Sequence, residues 1–597
     1  MRHPVVVLIV CLLPGLRPSA QESRPGTSLG AFEPFVTKAI EQWQVPGLGL
    51  VVVKDDRVLL CAGFGRRDVE RDLPVTRDTL FAIGSATKAF TAAVLGSVVE
   101  TGKLDWDQPV AQSLPGFVLH DRHATEKLTP RDLVTHRSGL PRHDFVWYGG
   151  KLSRREIFDR LRFLEPNADL RERWQYQNLM FMAAGHLAGE LTGSTWEDLV
   201  ANRLLTPLGM QNTVLLADLA QQKPDCASPY VERNGKLVVV PHRSIASVAP
   251  AGSIYSSAAD MARWLRMWLA KGKVADQRVL GESLVAELLR PQALLPTPSS
   301  EPEILLRSYA MGWFVESYRG RLRVHHGGNI DGFSAMVSFL PNDGIGVVAL
   351  ANMDGTGLPE AIVRHVFDRL TGASEIDWSG KLLAQRNRAK SQAAKGKERA
   401  QGERKQGTNP AHPLGEYVAE YEHPAYGTIA ITAVGDRLQA SVHGIAMELE
   451  HWHFETFAGQ SQEAVLADEK LLFQFETGRR GDVESLTLPL EPQVAPIRFV
   501  RKPDRGASDP AVLARCAGRY ALVLDAKFTL EVVIEGETLV LHPKNQRPIV
   551  LVPYRGSEWK AKSLPGYSVR FDLGKQGAAA TLDLIQPNGV FQARRTE

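Results

Sequence analysis

Cysteine is scarce in this chain of 597 residues. Of its four cysteines, Cys11 lies in an N-terminal apolar run, which leaves Cys61, Cys226 and Cys516 for the rest of the protein. Three scattered cysteines exclude a disulfide-rich scaffold and a cysteine-based metal cluster. We therefore expect no bound metal, and no other feature of the sequence indicates a cofactor.

Long apolar stretches are also missing. The run Val5–Leu13 is too short to span a membrane. It follows Arg2 and His3 and precedes Pro18-Ser19-Ala20, an order typical of a secretory signal peptide. We therefore expect residues 1–20 to be removed near Ala20, and the protein to be secreted or periplasmic, without stable membrane insertion.

A large net charge of one sign is lacking as well, since the formal charge is +3. Nine lysines and arginines lie between residues 381 and 406 against two glutamates, so the remainder of the chain is slightly acidic. This balance argues against nucleic-acid binding. We interpret residues 376–412 as a solvated basic linker, at most partly helical, and regard an arm that binds an anionic surface as the less favoured alternative.

A length of 597 residues predicts two to four domains. In residues 31–375 two short strands come first, helices fill the middle and strands return at the end. The predicted strands are 48–54, 57–64, 335–340 and 345–351, and the predicted helices are 90–100, 179–191 and 258–271. This order predicts an α/β (α+β) domain whose sheet is built from both ends of the domain, with helices packed on it.

The chain changes character after Pro413 and becomes a series of short strands that repeats itself. Gly415-Glu416-Tyr417 matches Gly518-Arg519-Tyr520, and Gly435–Leu438 matches Gly536–Leu539, with offsets of 103 and 101 residues. Two offsets that agree this closely predict a tandem duplication. We place the repeats at 413–503 and 512–597 and expect each to be a small all-β barrel or sandwich.

The strongest candidate for chemistry is Ser85-Ala86-Thr87-Lys88, at the start of a predicted helix. Residues three apart share one helix face, so Lys88 can lie beside the Ser85 hydroxyl. A serine needs a base to become a nucleophile, and a lysine whose pKa is lowered by burial can supply it. A second match, Ser557 to Lys560, lies in a strand-rich region where the two side chains point to opposite faces, so we reject it.

Two further motifs strengthen the first. Tyr176-Gln177-Asn178 precedes a predicted helix, and its phenol and amide could transfer a proton and bind a carbonyl. His326-Gly327-Gly328-Asn329 precedes another strand. Glycines beside a strand allow a ligand to approach the backbone closely.

Together the three motifs resemble those of the penicillin-recognising serine hydrolases, and the class C β-lactamase branch with its esterases, D-aminopeptidases and carboxypeptidases is the most similar. The spacings fit, as do the flanking segments 133–140 and 250–256. The resemblance covers residues 31–370 and implies a β-lactamase/transpeptidase-like domain with a central antiparallel sheet. The tandem repeat is similar to the two eight-stranded, lipocalin-like barrels that follow this domain in D-aminopeptidases.

The resemblance also implies roles for the motif residues. Ser85 would be the nucleophile, and Lys88 and Tyr176 would share the general-base and general-acid work, in an assignment that stays open. His326 would orient Tyr176 or the substrate. The substrate-binding residues would be Asn178, Gly327, Gly328 and Asn329, with the backbone N–H groups of Ser85 and Asn329 forming the oxyanion hole.

One residue departs from the pattern of true class C β-lactamases, which have a lysine at the position of His326. That lysine helps to hold the substrate carboxylate, so lactam hydrolysis is less expected than acyl transfer in general. We expect an exported serine hydrolase of a small molecule or peptide, with D-amino-acid amides or peptides and short-chain esters as first candidates. The alternatives are β-lactamase or D,D-carboxypeptidase activity, and a non-catalytic protein that binds cell-wall peptide or glycan. The sequence leaves the oligomeric state open.

Overall fold

The computed structural model describes residues 32–295, 301–467, 470–478, 480–504, 506, 508–575 and 577–597. The predicted signal peptide lies outside these residues. The strands described before residue 352 are β1 Gly47–Lys54, β2 Arg57–Asp68, β3 Leu73–Pro74, β4 Phe81–Ala82, β5 Tyr230–Arg233, β6 Lys236–Val239, β7 Tyr255–Ser256, β8 Lys273–Val274, β9 Gln277–Arg278, β10 Ala293–Leu294, β11 Ile304–Tyr309, β12 Phe314–Tyr318, β13 Arg321–Ile330, β14 Phe333–Leu340 and β15 Ile345–Ala351.

The α-helices of the described chain fill the middle of the first domain and continue beyond it. They are α1 Phe32–Trp43, α2 Thr87–Glu100, α3 Val110–Ser113, α4 Arg122–Lys127, α5 Pro130–Leu133, α6 Arg154–Arg160, α7 Asn178–Thr192, α8 Trp196–Val200, α9 Thr206–Leu208, α10 Ala217–Gln221, α11 Ala249–Gly252, α12 Ala258–Leu269, α13 Glu282–Leu289, α14 Leu358–Thr371, α15 Trp378–Gly402 and α16 Pro510–Cys516. In the described part of the chain, no helix is both long and apolar enough to cross a membrane.

A nine-stranded sheet organises the first domain, in the order β10-β11-β12-β13-β14-β15-β1-β2-β3. The N-terminal strand β1 pairs antiparallel with the last strand β15, with Leu48 opposite Ala351. The other neighbours are antiparallel too. The predicted central antiparallel sheet, built from both ends of the domain, is therefore confirmed.

Helices cover both faces of this sheet, and this burial explains why the sequence of β1 is continuously apolar. Successive side chains of a strand point to opposite faces. Val51 and Val53 pack into the core that includes α2, α7 and α12. Leu50 and Val52 pack into a second core with α1 and α14. A strand buried on both sides needs apolar residues at every position.

Helix α2 lies in the middle of the larger core and positions the first motif. It is apolar around its whole circumference, and eleven of its fourteen residues are buried. A helix with this pattern is surrounded by protein. Ser85 lies in the 3-10 turn Gly84–Ala86 directly before α2, and Lys88 lies in the first turn of the helix.

Residues 376–412 are partly helical, because α15 runs without interruption for 25 residues and no helix is described between its end and residue 412. Its Ala, Gln, Lys and Arg residues are strong helix formers. Trp378 is fully buried at its start, and Arg386 and Lys390 form ion pairs with Glu232. These contacts with the first domain therefore stabilise a helix in a segment whose composition alone predicts a solvated linker.

Two closed eight-stranded antiparallel barrels follow, as predicted. The strands of the first barrel are β16 Ala419–His423, β17 Gly427–Val434, β18 Arg437–Val442, β19 Ile445–His453, β20 Thr456–Ser461, β21 Lys470–Thr477, β22 Val483–Leu488 and β23 Ile497–Arg501. The strands of the second barrel are β24 Gly518–Leu522, β25 Thr529–Glu535, β26 Thr538–Pro543, β27 Ile549–Arg555, β28 Glu558–Ala561, β29 Ser568–Phe571, β30 Thr581–Gln586 and β31 Gly589–Arg595.

The structure corrects one of the two sequence matches between the repeats. Tyr421 lies opposite Arg501 where the first barrel closes, and Tyr520 lies opposite Arg595 where the second one closes. In both barrels the arginine donates a hydrogen bond to the tyrosine hydroxyl, at 3.4 and 3.2 Å. The equivalent of Tyr520 is therefore Tyr421, whereas Tyr417 precedes the first strand. The other match, at the turns before β18 and β26, holds.

The barrels differ in their attachment. The apolar core of the first barrel is continuous with that of the first domain, whereas the second barrel has a core of its own. Ion pairs join the second barrel to the first, with Arg480 Nη2 2.6 Å from Glu558 and Lys560 Nζ 2.7 Å from Glu484. The first barrel is thus the one that lies against the candidate site.

Candidate active site

Lys88 is fully buried and lies at the centre of the site. Its Nζ is 3.2 Å from Ser85 Oγ, 2.7 Å from Asn178 Oδ1 and 2.8 Å from the carbonyl oxygen of Ala251. The residues come from the start of α2, the start of α7 and α11. The fold therefore brings the Ser-x-x-Lys pair and the Tyr-x-Asn motif together, as their resemblance to known motifs implies.

The surroundings of Lys88 favour its uncharged form. Burial lowers the pKa of the amine well below its ordinary value of 10.5, and the charge of Arg142 lowers it further. A neutral amine has two N–H donors and one lone pair. Because the oxygens of Asn178 and Ala251 can only accept, both N–H groups are used, and the lone pair is left for the Ser85 hydroxyl.

Tyr176 also lies beside the nucleophile. Its hydroxyl shares a hydrogen bond with Ser85, and burial raises the pKa of the phenol above its ordinary value of 10.0. Lys88 Nζ lies 4.7 Å from the centre of the Tyr176 ring. The two pKa shifts fix different protonation states: the lowered pKa leaves Lys88 more readily able to accept a proton, and the raised pKa keeps Tyr176 protonated at neutral pH.

His326 is buried on β13, and both of its ring nitrogens are hydrogen-bonded. Its Nδ1 is 2.6 Å from the carbonyl oxygen of Gly327, which can only accept, so Nδ1 carries the hydrogen. Its Nε2 then accepts the hydrogen bond from the Tyr309 hydroxyl at 3.1 Å. Burial lowers the pKa of His326 to about 3, so the imidazole is neutral. The centres of the Tyr176 and His326 rings are 6.3 Å apart, and the expectation that His326 orients Tyr176 or the substrate stays a prediction.

The glycines of the third motif allow β13 to approach the nucleophile. A Cβ added to Gly328 would lie 1.9 Å from the carbonyl oxygen of Ile83 and 2.9 Å from the amide nitrogen of Ser85. One added to Gly84 would lie 2.8 Å from the amide nitrogen of Asn329. The backbone N–H groups predicted for the oxyanion hole, those of Ser85 and Asn329, therefore belong to adjoining backbone segments.

Asp144 binds three of the residues that line the pocket beside Ser85, namely Arg142, Trp147 and Asn178. Its Oδ1 accepts hydrogen bonds from Asn178 Nδ2 at 2.8 Å and from Trp147 Nε1 at 3.0 Å. Its Oδ2 accepts one from Arg142 Nε at 2.7 Å. Because Nδ2 of Asn178 faces a carboxylate, its Oδ1 must face Lys88. Asp144 thus fixes the orientation of the asparagine amide at the site.

Comparison with known proteins agrees with this geometry. The family model described as Beta-lactamase matches residues 32–371, which contain every element named at the site. The chain belongs to the β-lactamase family. A domain of unknown function, DUF3471, matches residues 403–501 and thus covers the strands of the first barrel.

Two relatives match more of the chain than the family model does. The unguisins hydrolase ungD' of Aspergillus campestris is 31% identical over 419 residues, or 67% of this chain and 77% of that protein. Its counterpart ungD of Aspergillus violaceofuscus is 29% identical over 71% of this chain and 79% of its own length. The protein is therefore a hydrolase of the β-lactamase fold.

A solved structure matches the fold alone. The octameric penicillin-binding protein homologue from Pyrococcus abyssi has a TM-score of 0.53 at 22% identity, and the match covers 79% of this chain and 99% of that one. At this identity the similarity shows shared architecture.

Sequence analysis missed several residues that shape this β-lactamase-family site. Arg142 and Asp144 directly follow the segment 133–140 that carried the resemblance, and their run of polar residues was the one local signal for them. His136 lies inside that segment without an assigned role. Its Nδ1 accepts the backbone N–H of Gln177 at 3.0 Å. Since Gln177 separates the tyrosine from the asparagine of the second motif, His136 positions both.

The first barrel reaches the pocket wall through the loop between β22 and β23. The buried carboxyl of Glu491 accepts the backbone N–H of Phe145 at 3.1 Å, next to Asp144. Burial raises the pKa of Glu491 to about 8. Tyr426 of the same barrel adds a hydrogen bond to His143 at 2.7 Å. The barrel therefore holds the loop that orients the site.

Substitution of Gly328 by alanine is expected to lower the free energy of unfolding by about 1–3 kcal/mol, because the new methyl group overlaps backbone atoms. It also displaces β13 from Ser85, so activity falls with stability. Gly327→Ala is the matched control, since its Cβ meets the flexible end of Met336 at 3.3 Å. Thermal unfolding of both variants is the measurement, and equal melting temperatures would contradict the packing described.

Proposed function

We propose that the protein is an exported serine hydrolase that cleaves an amide or ester through an acyl-enzyme on Ser85. The observation that carries the proposal is the contact between Ser85 Oγ and Lys88 Nζ, in surroundings that favour the uncharged amine. Export rests on the N-terminal pattern of a basic start, an apolar run and a small-residue cleavage site.

In the first half of the reaction, Lys88 takes the Ser85 proton as Oγ attacks the scissile carbonyl. The N–H groups of Ser85 and Asn329 stabilise the oxyanion that forms. Tyr176, whose raised pKa keeps it protonated, gives its proton to the leaving amine or alcohol as the bond to the acyl group breaks. Water then attacks the ester on Ser85 with the same groups in reversed roles, which frees the acid.

Amides or peptides with a D-residue are the first substrate candidates, because the tandem barrels resemble those of D-aminopeptidases. Lactams are less suited to the site. A penicillin carboxylate needs a positive charge at the position of His326, and this imidazole is neutral with both ring nitrogens engaged.

Hydrolysis of N-acetyl-D-alanine p-nitroanilide, its L-enantiomer and p-nitrophenyl butyrate tests the proposal. We expect release of p-nitroaniline from the D-anilide faster than from the L-anilide. Cleavage of the ester alone would still support an acyl-enzyme on Ser85. It would indicate that the bond cleaved in the natural substrate is an ester and not an amide. No turnover of any of the three, together with retained binding of cell-wall peptide, would favour the non-catalytic alternative instead.

A further inference from the structure

The pocket beside Ser85 contains a cation that takes no part in the proposed proton transfers. Arg142 lines this pocket together with Ser85, Asn178 and Asn329. About half of its side chain, 51%, is exposed, so an incoming molecule can reach the guanidinium. Its Cζ lies 5.2 Å from the centre of the Tyr176 ring, which places the charge close to the reacting atoms.

The guanidinium of Arg142 is held in place by hydrogen bonds, but not all of its N–H donors are used. Nε donates to Asp144 Oδ2 at 2.7 Å, and Nη2 lies 2.6 Å from the same oxygen. Among the described residues, no acceptor lies within hydrogen-bond distance of Nη1. An arginine held on one edge by a carboxylate keeps donors on its other edge for a second anion.

The charges around Arg142 favour an anion over a cation. Asp144 is already shared by Arg142, Asn178 and Trp147, so its oxygens are occupied. Glu491 has a pKa raised to about 8 by burial and adds little negative charge at neutral pH. A substrate ammonium beside Ser85 would therefore face Arg142 without a carboxylate free to receive it.

We propose that Arg142 selects acyl groups that carry a carboxylate a few bonds from the scissile carbonyl, and that it disfavours acyl groups with a free amine. The inference rests on the proposed function and specifies the acyl half of its substrate. The resemblance places the acyl-group amide at Asn178, and Asn178 and Arg142 both bind Asp144. The carboxylate would be received by the free edge of the guanidinium.

Three matched anilides test this inference: the p-nitroanilides of succinyl-D-alanine, acetyl-D-alanine and D-alanine, which present an anion, a neutral group and a cation. We expect kcat/KM to favour the succinyl over the acetyl compound by about tenfold, the effect of one charge-assisted hydrogen bond. The free amine is expected to be the poorest substrate, which would set the specificity of this protein apart from that of the D-aminopeptidases whose barrels it resembles. Added salt is expected to reduce the differences in kcat/KM.

Substitutions of Arg142 distinguish a role in selecting the acyl group from a structural role in holding Asp144. Arg142→Gln is expected to bring the succinyl-to-acetyl ratio close to one, and Arg142→Lys to retain part of it. Arg122→Gln, at an exposed arginine on α4, is the control and should keep the wild-type ratio. A merely structural role would lower the turnover of all three anilides alike, so an unchanged ratio in Arg142→Gln would overturn the inference. A wild-type preference for the free amine would overturn it as well.

The same three acyl groups presented as p-nitrophenyl esters distinguish failure of the inference from failure of the proposed function. Turnover that depends on Ser85 but shows no preference among the acyl groups refutes the role of Arg142 alone. Absence of Ser85-dependent turnover in both the anilide and the ester series refutes the acyl-enzyme proposal, and the inference with it.

Discussion

Replacing Ser85 by alanine is expected to lower kcat by about 10⁴-fold or more, because the covalent route loses its nucleophile. The change removes one oxygen atom at the edge of the pocket, so the fold and the binding of substrate should persist. The measurement is hydrolysis of the best anilide or ester of the panel by the two purified proteins, with circular dichroism to verify folding.

The chain offers a matched control for this substitution. Ser557 begins the other Ser-x-x-Lys match, and it lies next to β28 of the second barrel, in the part of the molecule away from the site. Ser557→Ala should keep wild-type kcat. Undiminished hydrolysis by Ser85→Ala would show that the reaction does not pass through this hydroxyl.

Replacing Lys88 by methionine is expected to lower kcat/KM by about 10³-fold, because the Ser85 proton loses its acceptor. In the wild type, activity should rise with pH as the amine loses its proton, and this rise should lie below the ordinary lysine pKa of 10.5. Lys103→Met, at an exposed lysine after α2, is the control and should leave the pH profile unchanged.

Stability provides a second, independent readout for Lys88. Burial lowers the pKa of the amine in the folded protein, so between the folded value and 10.5 the unfolded chain binds more protons. The free energy of unfolding then rises with pH, by up to about 1.4 kcal/mol per pH unit. Lys88→Met lacks this contribution. The groups that Lys88 does not influence titrate alike in both proteins, and the two histidines whose pKa values its charge lowers, His136 and His326, are also held low by burial.

Thermal unfolding of wild type and Lys88→Met across pH 6 to 9 is therefore informative. The melting temperature of the wild type should increase relative to that of the variant as pH rises. A constant difference between the two curves would mean that Lys88 keeps its ordinary pKa, and it would remove the argument that the amine is the base.

The parts of the site that could be predicted from sequence are those with local rules. Ser85 and Lys88 share a helical turn, so their spacing alone brings them together. The antiparallel sheet followed from the order of strands and helices, and the barrels from strand spacing and repetition. Each of these predictions rests on spacing within a segment or on the order of segments along the chain.

The residues that escaped prediction act over long sequence separations. Asp144 orients Asn178 across 34 residues, and Glu491 reaches Phe145 from 346 residues away. No periodicity in either segment encodes such a contact. The length of helix α15 was not predicted for a related reason, because its charged composition is also that of a solvated linker, whereas Trp378 at its start is buried against the first domain.

Direct detection of the acyl-enzyme tests the central claim most sharply. The protein is mixed with p-nitrophenyl butyrate, quenched in acid during turnover and digested, and the peptides are analysed by mass spectrometry with fragmentation. We predict one butyryl group per chain, located on Ser85 and absent from Ser85→Ala. An unmodified protein during steady turnover, or a butyryl group confined to another residue, would contradict the claim.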